Sequence, residues 1–177
     1  TKRVKLLGIA STPSAGMRRG TIINRDELIA KLDKALTEAE LMSNTKVTNA
    51  ILSITGDHIR SLNTQAAIAL NRTSAGTGRI MERVINETDI LQVLDLAQAV
   101  SLPIDRDILH TLPQEYLVDT LEEIKNPIGM TGRRLESRVH LVTAATTGMN
   151  NLVNCVEELG ITIAGLVFQP LASAMAT

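Results

Sequence analysis

Three histidines, at positions 58, 110 and 140, come first because imidazole can ligate a metal or carry a proton near neutral pH. No two share the spacing of ligands on one helix, and no Cys or carboxylate pattern joins them. His110 and His140 fall on strand-like runs that could pair, which would let the two rings meet. Asp105-Arg106-Asp107 holds two carboxylates, but it follows Pro103 in a connection where solvated charge is the ordinary outcome. Glu122-Glu123 reads equally as a solvated loop face. Gly76-Thr77-Gly78 has the glycines of a phosphate loop without the Gly-x4-Gly-Lys-Ser/Thr pattern, and reads as a loop tip. No Ser sits in a Gly-x-Ser-x-Gly elbow. Cys155 is the single cysteine, which excludes an internal disulfide and a Cys-based zinc site and leaves a small core residue. Arg18-Arg19 and Arg133-Arg134 lie on Gly-flanked loops. A guanidinium offers a planar donor fork to a carboxylate, so these pairs are candidate partner contacts, with ordinary surface charge as the competing reading.

Composition narrows the classes. The chain has 177 residues and is 44% hydrophobic, enough to bury a sizeable core in one domain or two intimate subdomains. It has one Tyr (Tyr116) and one Phe (Phe168), so an aliphatic core is expected and the composition argues against a base-stacking platform. A net charge of −1 gives no electrostatic footprint for nucleic acid or an anionic membrane. No apolar run approaches the ~18 residues that span a bilayer, and no charged-then-apolar leader opens the chain, so a cytoplasmic location is expected. The chain opens without Met in a strand-like run and stops where a helix should continue. Both ends read as cut.

The elements that must position these residues follow from periodicity. Residues 4–10 predict a strand and 11–20 a turn-rich loop. Asn24 caps a helix, with Glu27 three residues on, and the apolar set Leu28, Ile29, Leu32, Ala35, Leu36 and Ala39 carries it to about Met42. Residues 47–54 predict a buried strand ended by Gly56, 58–70 an extended segment, 71–79 a polar loop, and 80–85 a returning strand. Asn86 and Asp89 start a second helix, which Pro103 stops. Residues 107–118 predict a strand broken by Pro113, which marks an edge position or a bulge there. Residues 119–132 read as a loop. Residues 135–143 alternate as a strand, with Leu135, Val139 and Leu141 against Glu136, Arg138 and His140. A third helix at 150–159 ends at Gly160, a strand spans 161–167, and Pro170 opens a fourth helix. The order is β-α-β, a β-rich block with one helix, then α-β-α. That is a layered α/β unit interrupted by an insertion.

Several segments in this order carry a resemblance. They are Gly16-Met17-Arg18-Arg19-Gly20, Ala39-Glu40-Leu41-Met42 and Ser53-Ile54-Thr55-Gly56-Asp57-His58-Ile59, then Ile108–Tyr116, Ile124–Gly132, Val139–Thr143 and Pro170–Ala174. Together they resemble the bacterial cell-division family FtsA. The resemblance implies a fragment of an actin-like (ribonuclease H-like) α/β core. It would cover part of core subdomain 1A and an inserted α+β subdomain 1C of strand-helix-strand-strand order. The expected boundaries are 1–55 for the first part of the core, 56–142 for the insert, and 143–177 for the truncated second part.

Members of the family bind ATP and magnesium, form filaments, and have at most weak ATPase activity. They tether FtsZ to the inner face of the cell membrane at the division site through a C-terminal helix, and they recruit septum-building proteins. On this resemblance, Gln169 in Phe168-Gln169-Pro170 takes the place of a water-orienting amide in the full-length protein. No Asp here is followed by Gly two residues later, as the phosphate turns of the actin type require. The fragment itself is therefore expected to hold neither cofactor nor metal and to lack a complete catalytic set. Its contribution is expected to be protein–protein contact. Residues 71–84 look longer than the usual insert hairpin. The alternatives are a complete actin-like ATPase domain and an actin-like pilus-assembly scaffold.

Overall fold

A computed structural model describes residues 5–70, 72–73 and 80–176. The chain divides into two compact units: Thr1–Ile59 with Ala144–Thr177, and Arg60–Thr143.

Residues 5–10, the first described part of the first unit, form no strand. A strand was expected here from its β propensity, but propensity forms a strand only where a neighbour takes up the backbone groups. Gly8 instead packs against the first helix, where an added Cβ would lie 2.9 Å from the Ala39 carbonyl oxygen. A hairpin follows, β1 (Met17–Arg18) and β2 (Thr21–Ile22), where a turn-rich loop was expected over 11–20. Its two turn residues, Arg19 (φ 52) and Gly20 (φ 79), are both left-handed. That is the two-residue turn whose twist matches antiparallel strands.

Helix α1 (Arg25–Ser43) starts where the capping signal places it, with Asn24 Oδ1 accepting the Glu27 N–H at 3.3 Å. It ends at Asn44, left-handed at φ 49. Beyond that end, Glu40 accepts the Val47 N–H at 2.8 Å and Lys46 Nζ at 2.7 Å. The Lys46 hydrogen bond, then that from Val47, holds the Glu40 carboxyl below the usual carboxylate range. The stability this supplies is present above the ordinary Glu value and is lost as pH falls through the lowered folded value. Urea midpoints measured from about pH 6 to pH 3 should therefore fall less steeply in Glu40→Gln than in the parent chain. Identical acid limbs would show that Glu40 is not clamped in solution.

Strand β3 (Asn49–Ile54) completes the first stretch of this unit; a buried strand was expected, but only Ile54 is buried and Ile51 is exposed.

The second unit opens with β4 (Arg60–Ala69), followed by the short pieces β5 (Arg72–Thr73), β6 (Ile80–Met81) and β7 (Arg83–Val84). The Gly76-Thr77-Gly78 tip lies outside the described residues. Helix α2 (Glu87–Gln98) has a reciprocal capping box: Asn86 Oδ1 accepts the Asp89 N–H at 3.1 Å and Asp89 Oδ2 accepts the Asn86 N–H at 2.9 Å. Strand β8 (Arg106–Val118) runs unbroken through Pro113. The following stretch, expected as loop, holds β9 (Leu121–Ile124) and β10 (Thr131–Gly132). Left-handed Asp119 (φ 54) turns the chain so that β9 can pair back onto β8. Strand β11 (Arg134–Ala145) then crosses the unit.

The main sheet has the order β4-β11-β8-β9. β9 meets β8 at Tyr116 and Val118, so Pro113 lies in a stretch of β8 outside the β9 pairing, where β8 is open on that side as the proline leads one to expect. α2 covers one face. Leu135 opposes Ile68 and Leu141 opposes Leu62 across β11 and β4, as the alternation in the sequence requires.

After β11 the chain returns to the first unit. Helix α3 (Thr146–Glu157) begins four residues before the expected 150, with no side-chain cap. β12 (Thr162–Phe168) pairs in parallel with β3, and α4 (Gln169–Met175) ends the described chain with Pro170 in its first turn. This parallel pair is a sheet separate from the four-stranded one.

Candidate functional site

The geometry around Arg133-Arg134 is built from Asp119. Its Oδ1 accepts the backbone N–H of Arg133 at 3.0 Å and of Arg134 at 2.9 Å, while its own N–H donates to the Arg134 carbonyl at 3.1 Å. Gly132 precedes the pair because a Cβ there would sit 2.5 Å from Val118 Cγ1. β10 is also tied to β7, through Gly132 opposite Arg83, and Arg83 ion-pairs with Asp89 of α2. The two arginines thus project from a fixed backbone. Their side chains are about 60% exposed, reaching Glu82 at 3.3 Å and Glu136 at 2.6 Å.

Sequence reasoning missed Asp119. Its signal was an Asp just after a strand, a residue type that tolerates the left-handed backbone a tight turn needs. Asp119→Gly keeps that backbone and removes the acceptor. It should cost about 1 kcal/mol and make the Arg133 and Arg134 amides exchange about tenfold faster. Unchanged exchange of those amides would refute the anchoring.

The second arginine pair sits in the other unit. Arg18 is exposed on β1, and Arg19 occupies the hairpin turn with its side chain 76% exposed, 3.6 Å from Asp57. Two sequence motifs meet here. An added Cβ on Gly20 would lie 2.1 Å from the Thr55 carbonyl oxygen, and the Asp57 N–H donates to the Arg19 carbonyl at 3.2 Å. The glycines of Met17-Arg18-Arg19-Gly20 and Thr55-Gly56-Asp57 are therefore there for backbone-to-backbone contact.

The histidines do not converge. The His58 ring faces Gly148 in the first turn of α3, 3.4 Å from where a Cβ would sit. His140 Nδ1 is 2.7 Å from Asn63 Oδ1 on the open face of the sheet. His110 falls by alternation on the face that carries Ile108, which packs toward α2. His110 and His140 are therefore on opposite faces, although β8 and β11 do pair.

On that open face, Glu115 grips Arg138 at 2.6 Å and holds its guanidinium above its usual range, with Glu122 4.0 Å away. Asn63, Gln65, Gln114, Glu115, Arg138 and His140 line a shallow groove of about 510 Å³. Its cross-strand charge pattern could not be read from sequence without the register. Gln169 is exposed at the start of the seven-residue α4. Among the described residues no group of three or more His, Cys, Asp or Glu could hold a metal ion, and no helix is long and apolar enough to cross a membrane.

A mixed α/β core whose two stretches flank a strand-helix-strand-strand unit defines an actin-like protein with an inserted subdomain. In fold, the chain is similar to a solved PilM-PilN type IV pilus biogenesis complex, with a TM-score of 0.55 and 12% identity over 91% of this chain and 39% of that one. The domain family described as the SHS2 domain inserted in FTSA matches residues 56–143. Proteins named cell division protein FtsA match nearly the whole chain. That of Pseudomonas aeruginosa is 37% identical over 97% of this chain and 39% of its own length. That of Neisseria meningitidis is 35% identical over 98% and 40%, and that of Bacillus subtilis 32% over 98% and 38%. The chain belongs to the FtsA family and spans about two fifths of the length of these relatives.

Proposed function

We propose that this chain is the contact-making portion of a cell-division scaffold, and that residues 56–142 are its docking insert between core parts 1–55 and 143–177. The observation that carries the reading is the 32–37% identity to division proteins over nearly the whole chain, insert included. In this reading the parent protein forms filaments, tethers FtsZ to the inner face of the membrane at the division site and recruits septum-building proteins. Contact with FtsZ and with the membrane falls to parts of the parent outside this chain. The chain supplies contacts to other division proteins and to neighbouring copies.

Arg18, Arg19, Arg133 and Arg134 are the proposed contact residues. The ion pairs of Arg19 with Asp57 and of Arg133 with Glu82 are exposed on both sides, and such pairs contribute about 0–1 kcal/mol, so exchange for a partner's carboxylate costs little there. Pilus assembly as the alternative has only a shared fold behind it at 12% identity.

ATP and magnesium are assigned to the whole protein. The residues here do not fit them as a cradle: no Asp is followed by Gly two residues on, and exposed Gln169 has no phosphate turn to work with. Gln169 is proposed as a water-orienting amide only in the complete protein.

The test is binding of the purified chain to the cytoplasmic segments of septum-building proteins, with calorimetry against magnesium-ATP alongside. Specific binding, weakened at least tenfold in Arg133→Glu/Arg134→Glu, and no heat with magnesium-ATP are expected. Tight magnesium-dependent ATP binding would overturn the scaffold reading. Binding unaffected by the double substitution would overturn the assignment of those arginines.

A further inference from the structure

The four-stranded sheet of the second unit has two unlike edges. β9 is four residues long, carries Glu122 and Glu123, and turns left-handed at Glu123 (φ 57). Shortness, charge and irregular backbone keep a sheet edge from pairing with another chain. β4, at the other edge, has ten residues with no proline and no left-handed residue, and from Ser61 to Ala69 it carries no charge.

The register fixes which backbone groups that edge presents. The Leu70 N–H donates to the Arg133 carbonyl at 2.7 Å, one step beyond the pair Ala69 and Arg134. In an antiparallel ladder, pairs that exchange hydrogen bonds alternate with pairs that do not. Ile68, Ala66, Thr64 and Leu62 therefore turn their N–H and C=O groups to β11. Ser61, Asn63, Gln65, Ala67 and Ala69 turn theirs away from the sheet. Among the described residues nothing takes these groups up, and all but Ala67 are exposed. A row of such donors and acceptors is a template for one more strand.

β4 fits that template itself. Laid antiparallel against a second β4 with Gln65 facing Gln65, it sets Asn63 opposite Ala67 and Ser61 opposite Ala69. Of the two-fold registers, this one alone pairs all the outward residues with one another. It also keeps the faces in phase, with Leu62 opposite Ile68 on the side that α2 covers. Like charges are not opposed, because Arg60, the strand's one charge, comes opposite Leu70.

We propose that β4 pairs with β4 of a second copy about a two-fold axis at Gln65, joining two four-stranded sheets into one. Such a pair uses the same patch on both copies and closes on itself. The inference rests on the strand edge alone, so docking of other division proteins through the arginines stands or falls separately.

Sedimentation of the whole 177-residue chain from about 10 μM to about 1 mM, with residue-resolved hydrogen exchange, tests it. A monomer–dimer equilibrium is expected. Amides of Ser61, Asn63, Gln65, Ala67 and Ala69 should exchange fast when dilute and about tenfold slower or more when concentrated, while those of Leu62, Thr64, Ala66 and Ile68 stay slow throughout. Gln65→Lys sets two ammonium groups face to face across the axis and should weaken the dimer about tenfold. Asn63→Glu/Ala67→Lys sets opposite charges face to face in this register and should leave the dimer at least as tight as the parent's. A monomer at every concentration would overturn the proposal, including one whose outward amides are protected only by an added segment of a septum-building protein. A dimer indifferent to Gln65→Lys would overturn it too, being joined elsewhere.

Discussion

Gly20→Ala should destabilise the 177-residue chain by about 3–4 kcal/mol, read as a fall in urea midpoint at unchanged slope. Two physical terms add. A Cβ at φ 79 forces left-handed backbone on an L residue, at about 1–2 kcal/mol. The same atom would sit 2.1 Å from the Thr55 carbonyl oxygen and 2.6 Å from the Gly56 Cα, so one of two backbones must move. Forcing an extra methyl into close packing costs about 1–3 kcal/mol more. Gly160 separates the two terms. It has a nearly identical φ of 78 but nothing within 4 Å of its added Cβ, so Gly160→Ala should cost only the strain, about 1 kcal/mol. Equal losses at the two sites would mean that the Arg19-Gly20 turn does not touch the Thr55-Gly56 turn in solution.

Leu135→Ala is the other large effect, expected at about 3–4 kcal/mol. Leu135 is fully buried on β11, facing Ile68 across the sheet, with Val93 and Val118 in the same cluster. Truncation removes contacts on several sides at once, and a close-packed sheet relaxes poorly around the hole. The loss should be local to its unit: faster exchange across β4, α2 and β8, with β3 and β12 protected as before. Loss of protection in all strands together would show that the two units unfold as one. Val139 sits in the smaller cluster with Ala97 above it, so Val139→Ala should cost less, about 1–2 kcal/mol.

Much of the fold was legible before any coordinates. Asn24 and Asn86 fixed two helix starts to the residue because a capping side chain acts within one turn and its partners lie three residues away. The strand at 135–143 was readable because its alternation reports a sheet with one face covered. Where the signal depended on a distant partner, sequence reading failed. Residues 5–10 have strand composition, yet Gly8 packs against α1 and no strand forms among them. β9 was hidden in an acidic stretch because four residues pair only after Asp119 has turned the chain. The start of α3 was placed four residues late because it lacks a side-chain cap.

The functional surface divides in the same way. Arg133-Arg134 and Arg18-Arg19 could be picked from type and flanking glycine, and local periodicity gave a β-rich block with one helix between β-α-β and α-β-α, while its strand-helix-strand-strand order came only from the family resemblance. The tertiary structure decided what holds those arginines: the Asp119 carboxylate under one pair and the Thr55-Gly56 turn behind the other. It also decided that His110 and His140 face opposite ways, and that Glu115, Arg138 and Glu122 meet on one face. Caps, turns and alternation act over a few bonds and so are written into neighbouring residues. Register between β4, β8 and β11 joins residues 20 to 80 positions apart, and only packing of the whole unit selects it.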